Sequence, residues 1–160
     1  MSTETASNTI TLDSLAALRE LEGESLGTSS WFRVDQQRIN VFADATDDHQ
    51  WIHTDPERAR AESPFGGPIA HGYLTLALLI PMWEEVLTVT GVTTKVNYGL
   101  NKVRFPEPVP ADGRVRLDAT LKQYEELARG GVQVTVSATI ELEGSDRPAC
   151  VAEPVFRMFE

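Results

Sequence analysis

Apolar residues follow one rhythm in the first half of the chain and another in the second. Leu12, Leu15, Ala16, Leu18 and Leu21 recur near helical spacing, with Thr11 or Asp13 to cap them and Gly23 to stop them, which predicts a first helix. Ser29 to Val34 reads as a short strand. Asp35 then caps a second helix that carries Ile39, Phe42 and Ala43 on one face. Thr54-Asp55-Pro56-Glu57 joins a capping residue, a proline and acids in one first turn, so a short third helix starts there and ends by Ser63-Pro64. Ser63 to Pro68 is loop. Gly72 opens the most apolar helix, Tyr73 to about Thr88, expected to be buried nearly all round despite Pro81. Its apolar run is too short to span a bilayer.

From Val92 onward the period becomes two. Val96 to Phe105, Arg114 to Tyr124, Val132 to Leu142 and Ala149 to Phe159 read as strands. Pro106 to Gly113, Arg129-Gly130-Gly131 and Gly144 to Pro148 separate them. In the third run Val132, Val134, Val136, Ala138, Ile140 and Leu142 alternate with polar residues, the mark of a strand with one buried face. Helices first and strands afterwards predict an α+β fold, with an antiparallel sheet curled around one central helix. The length of 160 residues suits one domain over residues 10–160, with residues 1–9 as a frayed tail.

Composition narrows the function classes. Lys and Arg number 14 against 24 Asp and Glu, a formal charge of −10, so non-specific binding to nucleic acid is not expected. A hydrophobic share of 41% argues against disorder. The single cysteine, Cys150, excludes an internal disulfide framework and paired-cysteine zinc sites. Residues 1–9 lack the basic start and apolar run of a secretory leader, so a cytoplasmic location is expected.

Candidate chemistry crowds into ten residues that hold Asp44, Asp47, Asp48, His49 and His53. Asp48 and His53 are five apart, which on a continuous helix leaves their side chains roughly 140° apart. They converge only if the chain leaves the helix between them, with Trp51 and Ile52 anchoring the loop. Three readings are open: an acidic, solvated helix end; a metal site built from His49, His53 and Asp47 or Asp48; and a carboxylate–imidazole pair that holds one water. Gly72, at the start of the apolar helix, offers a backbone N–H to a developing oxyanion, or is a plain cap.

Two motifs carry a resemblance. Asp47-Asp48-His49-Gln50-Trp51-Ile52-His53-Thr54-Asp55-Pro56 and, at matching separation, Pro68-Ile69-Ala70-His71-Gly72 are similar to motifs of the MaoC-like dehydratase family, which includes the (R)-specific enoyl-CoA hydratases. Val103-Arg104-Phe105-Pro106-Glu107-Pro108-Val109 resembles a third stretch of that family, and the likeness spans about residues 25–158. Gln50-Trp51 stands where the family has Asn-Pro, and Asp47 where it has Gly. The Trp-Ile-His form resembles the NodN-like branch.

The resemblance implies a hot-dog fold, a homodimer, and reversible hydration of trans-2-enoyl-CoA to (R)-3-hydroxyacyl-CoA with neither metal nor redox cofactor. It assigns the water to Asp48 and His53 and the enolate oxygen to the Gly72 N–H. Lys95, Lys102 and Arg104, and beyond them Arg114 and Arg116, are candidates for the anionic carrier, though each is equally readable as a solubilising charge. His49 is expected at the surface, and His71 is expected to brace the turn before Gly72. Thioester hydrolysis, or an acyl-binding subunit without catalysis, are the alternative functions.

Overall fold

The computed structural model describes residues 8–160, so the tail expected over residues 1–9 lies, but for its last two residues, outside the described residues. In chain order the elements are β1 (Ile10–Leu12), a 3-10 helix (Leu15–Leu21), β2 (Ser25–Thr28), β3 (Phe32–Val34), α1 (Gln36–Thr46), α2 (Trp51–Thr54), α3 (Pro56–Glu62), α4 (Gly72–Ala77), α5 (Leu79–Val86), β4 (Leu87–Val89), β5 (Thr94–Arg104), β6 (Gly113–Glu126), β7 (Val132–Leu142) and β8 (Cys150–Phe159).

The main sheet runs β2-β6-β7-β8-β5, with β3 also on β6, and every pairing in it is antiparallel. β7 lies near its middle and sends Val132, Val134, Val136, Ala138, Ile140 and Leu142 inward, as their alternation predicts. Leu79, Met82, Trp83 and Val86 of α5 fill the concave side, and Trp83 stacks obliquely on Phe156 of β8 at 5.3 Å between ring centroids. Each such side chain, removed from water, contributes about 1.5–3 kcal/mol.

The structure differs from the expected elements in four places. The predicted first helix is a 3-10 helix preceded by β1, because Ile10 and Leu12 pair in parallel with Leu87 and Val89. The predicted strand over Ser29 to Val34 is shorter, β3 over Phe32–Val34, and an unexpected second strand, β2 over Ser25–Thr28, precedes it. Gly27, at φ +91°, bulges β2, and the Ser29 hydroxyl accepts the Leu117 N–H at 2.9 Å across the break. The long apolar helix is two helices. Proline cannot donate to the carbonyl four residues back. The break at Leu78 puts Pro81 in the first turn of α5, where no bond is lost. Beyond Val86 the helix gives way to β4, whose Leu87 and Val89 turn inward while Thr88 faces out.

The central helices are also not buried all round. Tyr73 is 72% exposed, and Leu76 and Ile80 are only half-buried. They face β5, the last strand of the sheet, which is exposed on both faces along nearly its whole length. No helix among the described residues is long and apolar enough to cross a membrane.

Candidate active site

The site begins at the end of α1. The Asp35 carboxylate accepts the Arg38 N–H at 2.8 Å and starts that helix. Asp47 ends it in the left-handed conformation, φ 57°. A side chain there costs on the order of 1 kcal/mol, least for Asp and Asn. The turn takes the chain out of the helix just before Asp48, so Asp48 and His53 do not lie on one continuous helix, as their five-residue spacing demands. The chain then makes one turn, α2. Gln36 fastens it by donating Nε2–H to the His53 carbonyl at 2.7 Å, and the Thr54 hydroxyl donates to the His49 carbonyl at 3.1 Å. Trp51 and Ile52 are half-buried rather than deep anchors, and Arg58 lies over the Trp51 ring at 4.3 Å.

Pro68-Ile69-Ala70 supplies the opposite wall. Ile69 donates to the Ile52 carbonyl at 3.0 Å, Ala70 to Val109 at 2.8 Å, and Ala111 returns a bond to Pro68 at 2.9 Å. This short extended segment is stitched between α2 and the stretch that follows β5. It delivers His71 and Gly72 to the start of α4 beside His53.

His53 is 7% exposed, with Nδ1 at 2.6 Å from the Ile69 carbonyl oxygen. A carbonyl only accepts, so Nδ1 carries the proton and Nε2 is left with its lone pair. Burial lowers the imidazole pKa below its ordinary value. The bond to Ile69 opposes that shift, the neighbouring His71 reinforces it, and Asp48 opposes it more weakly. Asp48 is exposed. Asp48, His53 and His71 each offer a polar side-chain atom within 4.8 Å of the others. Two hydrogen bonds of ordinary length that meet at one water oxygen span roughly 4.6 Å, so the separation suits a shared water.

These three residues are also the set that could hold a metal ion among the described residues. The geometry disfavours it. The two imidazoles are stacked, 3.9 Å between centroids and 26° apart, so their in-plane lone pairs run alongside one another instead of converging. The metal set considered from sequence does not assemble: His49 is exposed and bonds Asp44 at 2.9 Å, which raises its pKa. His71 takes its place in the cluster. Sequence reasoning gave His71 only a bracing role, although its position in Pro68-Gly72, directly before the candidate oxyanion glycine, was the available signal.

A cavity of about 320 Å³ opens beside His53, lined also by Ala70, Gly72, Thr75, Phe105 and Glu107. The first N–H groups of a helix have no acceptor within it, so Gly72 has an N–H to offer. α4 has only six residues, so the donor is the N–H itself and not the dipole of the long helix expected. A Cβ at Gly72 would stand 3.0 Å from the Phe105 ring, so a side chain there would make that ring give by a few tenths of an ångström.

The candidate cations divide. Arg104 and Lys102 are exposed at the end of β5 that leads into Phe105. Lys95 sits at the other end, roughly 30 Å away along an extended strand, in an ion pair with Glu84 at 2.7 Å. Arg114 and Arg116 pair with Glu143 and Glu141 and lie near the Trp31 ring.

With this geometry in view, comparison with known proteins finds four relevant likenesses. The model of the MaoC like domain matches residues 18–142. The chain is 55% identical over 147 residues to the 3-hydroxyacyl-thioester dehydratase Z of Mycobacterium tuberculosis, which covers 92% of this chain and 97% of that one. It is 46% identical over 146 residues to Nodulation protein N of Rhizobium meliloti, 87% of each chain. Its fold superposes on R-Hydratase PhaJ1 from Pseudomonas aeruginosa with a TM-score of 0.69 at 20% identity, covering 87% of this chain and 82% of that one.

The lowered pKa of His53 has a consequence for stability. An unfolded histidine titrates near 6.5, so as pH falls through that value the unfolded chain binds a proton that the folded chain resists. Unfolding is favoured in that window, and stability falls with pH. The expected result is a melting temperature that drops below about pH 6.5, with a shallower drop in His53→Gln. Thermal melts from pH 5 to 8 check it, and equal slopes for the two proteins would contradict it.

Proposed function

The chain belongs to the MaoC-like dehydratase family and has its hot-dog fold, and from that premise we propose that it is a hydro-lyase that hydrates trans-2-enoyl thioesters to (R)-3-hydroxyacyl thioesters and runs the reverse dehydration. The observation that carries the reading is the Asp48–His53 pair, with polar side-chain atoms within 4.8 Å of each other, beside a cavity that Gly72 also lines. A relative at 55% identity whose name is a 3-hydroxyacyl-thioester dehydratase supports the substrate class.

The chemistry follows from the groups present. Water lies between the Asp48 carboxylate and Nε2 of His53. As its oxygen bonds C3 of the enoyl chain, one of its protons passes to the pair. Electron density moves to the thioester oxygen, where the Gly72 N–H stabilises the enolate. C2 then takes a proton from the pair, and the pair is restored. One water is consumed and no electrons are exchanged with any other species, so the step calls for no redox cofactor. Asp48 and His53 act as one titrating unit, and the acid and base roles belong to the pair. Arg104 and Lys102, exposed near Phe105, would meet the anionic carrier, and the ion pair of Lys95 with Glu84 favours them over Lys95 for that role.

The enzyme acts as a homodimer in this proposal. β5 carries exposed Val96, Tyr98 and Leu100, and its outer edge ends the sheet. Leu76, Ile80, Leu100, Pro154 and Phe156 line a shallow apolar groove of about 190 Å³ beside it. An unpaired apolar edge is a liability that a second copy removes.

Asp48→Asn and His53→Gln are expected to lower turnover roughly a hundred- to ten-thousand-fold each, with the double variant little worse than either. His49→Ala should keep most activity. The assay is loss of the enoyl-thioester absorbance without thiol release. Normal turnover in folded His53→Gln sinks the mechanism, and thiol release would point to thioester hydrolysis instead.

Gly72 is tested by a matched pair. Gly72→Ala adds a Cβ against Phe105 and keeps the N–H; Gly72→Pro adds the same atom and removes it. Proline should cost about a hundred- to a thousand-fold more turnover than alanine. Equal activity in two folded variants would remove the oxyanion role.

Sedimentation equilibrium at micromolar concentration is expected to give a dimer, and Leu100→Lys a monomer. A monomeric wild-type chain contradicts the assembly.

A further inference from the structure

We propose that His71 is the positioning residue of the hydration site, holding both Asp48 and His53 from the side away from the substrate; this rests on the Asp48–His53 reading above. His71 is 3% exposed. Its Nε2 lies 2.9 Å from the main-chain carbonyl of Asp48. The carbonyl accepts only, so Nε2 is the N–H and Nδ1 is bare. Nδ1 is buried and meets no donor among the described residues. One nitrogen is therefore committed to the Asp48 main chain, and the other side of the ring makes no competing bond.

The same ring is the platform for His53. The two imidazoles stack at 3.9 Å, and Phe42 of α1 packs against His71 at 5.0 Å. Asp48 itself lies in the loop after a left-handed turn, with an exposed side chain. Its backbone is tied to the interior by the His71 bond. His71 is also the residue before Gly72, with its own carbonyl accepting the Thr75 N–H at 3.1 Å at the start of α4. One side chain thus references the carboxylate, the imidazole and the oxyanion donor to a common frame. The ionisable groups facing it are Asp48 and His53. A shift of about 1 Å in such a frame costs roughly a hundred-fold in rate.

The experiment compares two variants of the full chain. His71→Phe keeps a ring against His53 and loses the donor. His71→Gln places an amide N–H near the position of Nε2 and loses the ring. In enoyl-thioester hydration, His71→Phe should lose roughly a hundred-fold in kcat with KM changed only a few-fold, and His71→Gln should recover to within about tenfold of wild type. A folded His71→Phe with wild-type kcat overturns the proposal, as does a folded His71→Gln as inactive as the phenylalanine variant. Should His71→Phe not fold, long-range proton–nitrogen correlation spectra of the wild-type protein at pH 8 decide it: His71 should be protonated on Nε2 and His53 on Nδ1. A His71 ring protonated on Nδ1 overturns the lock. These spectra do not depend on turnover. A wild-type protein without hydratase activity therefore defeats the dyad reading, while the spectra still decide whether His71 grips Asp48.

Discussion

The contact between His53 Nδ1 and the Ile69 carbonyl admits one arrangement of protons, because the oxygen has none to give. It sets the tautomer, aims the ring, and leaves Nε2 with its lone pair. It also joins two parts of the chain that are distant in sequence. α2 comes from the first helical layer and Ile69 from the segment stitched to Val109, so the bond closes only when both have docked. Burial then keeps the imidazole neutral near pH 7, the form in which it can accept a proton.

Everything around that bond serves to hold two short segments still. α2 is a single turn and α4 only six residues, neither of which would persist alone in water. They persist because Gln36 caps one from α1, and because Leu74 and Leu78 sink into the core beneath the other. The sheet supplies the rigid wall. Its strands β6, β7 and β8 follow one another as antiparallel neighbours, and α4 packs against β8.

Much of this was legible in residues alone. The alternation in Val132 to Leu142 needs no context to be read, since one face of that strand is buried along its length. The Asp55-Pro56 start of α3 is equally local: the Asp55 carboxylate accepts the Arg58 N–H at 3.0 Å. The misses share a cause. β1 and β4 are three residues each and exist only because they pair with one another across the chain. β2 contains a glycine bulge and almost no apolar signal. Tyr73, Leu76 and Ile80 read as core because hydrophobicity says what prefers burial and not what covers it. At the site, the spacing of Asp48 and His53 stated the geometric condition and the left-handed Asp47 met it. The place of His71 needed the stacking, which no spacing rule reports.

The parallel clasp between Ile10–Leu12 and Leu87–Val89 sits at the two ends of one long loop. That loop contains Asp48, His53, His71 and Gly72, and the antiparallel core of β6, β7 and β8 lies outside it. A clasp of three residue pairs is a weak closure, and the entropy released when a long loop opens grows with its length. Native-state fluctuations therefore have a natural seam there. Amide protons of the segment that bears Asp48, His53 and His71 are expected to exchange through a sub-global opening, at lower free energy than those of β7.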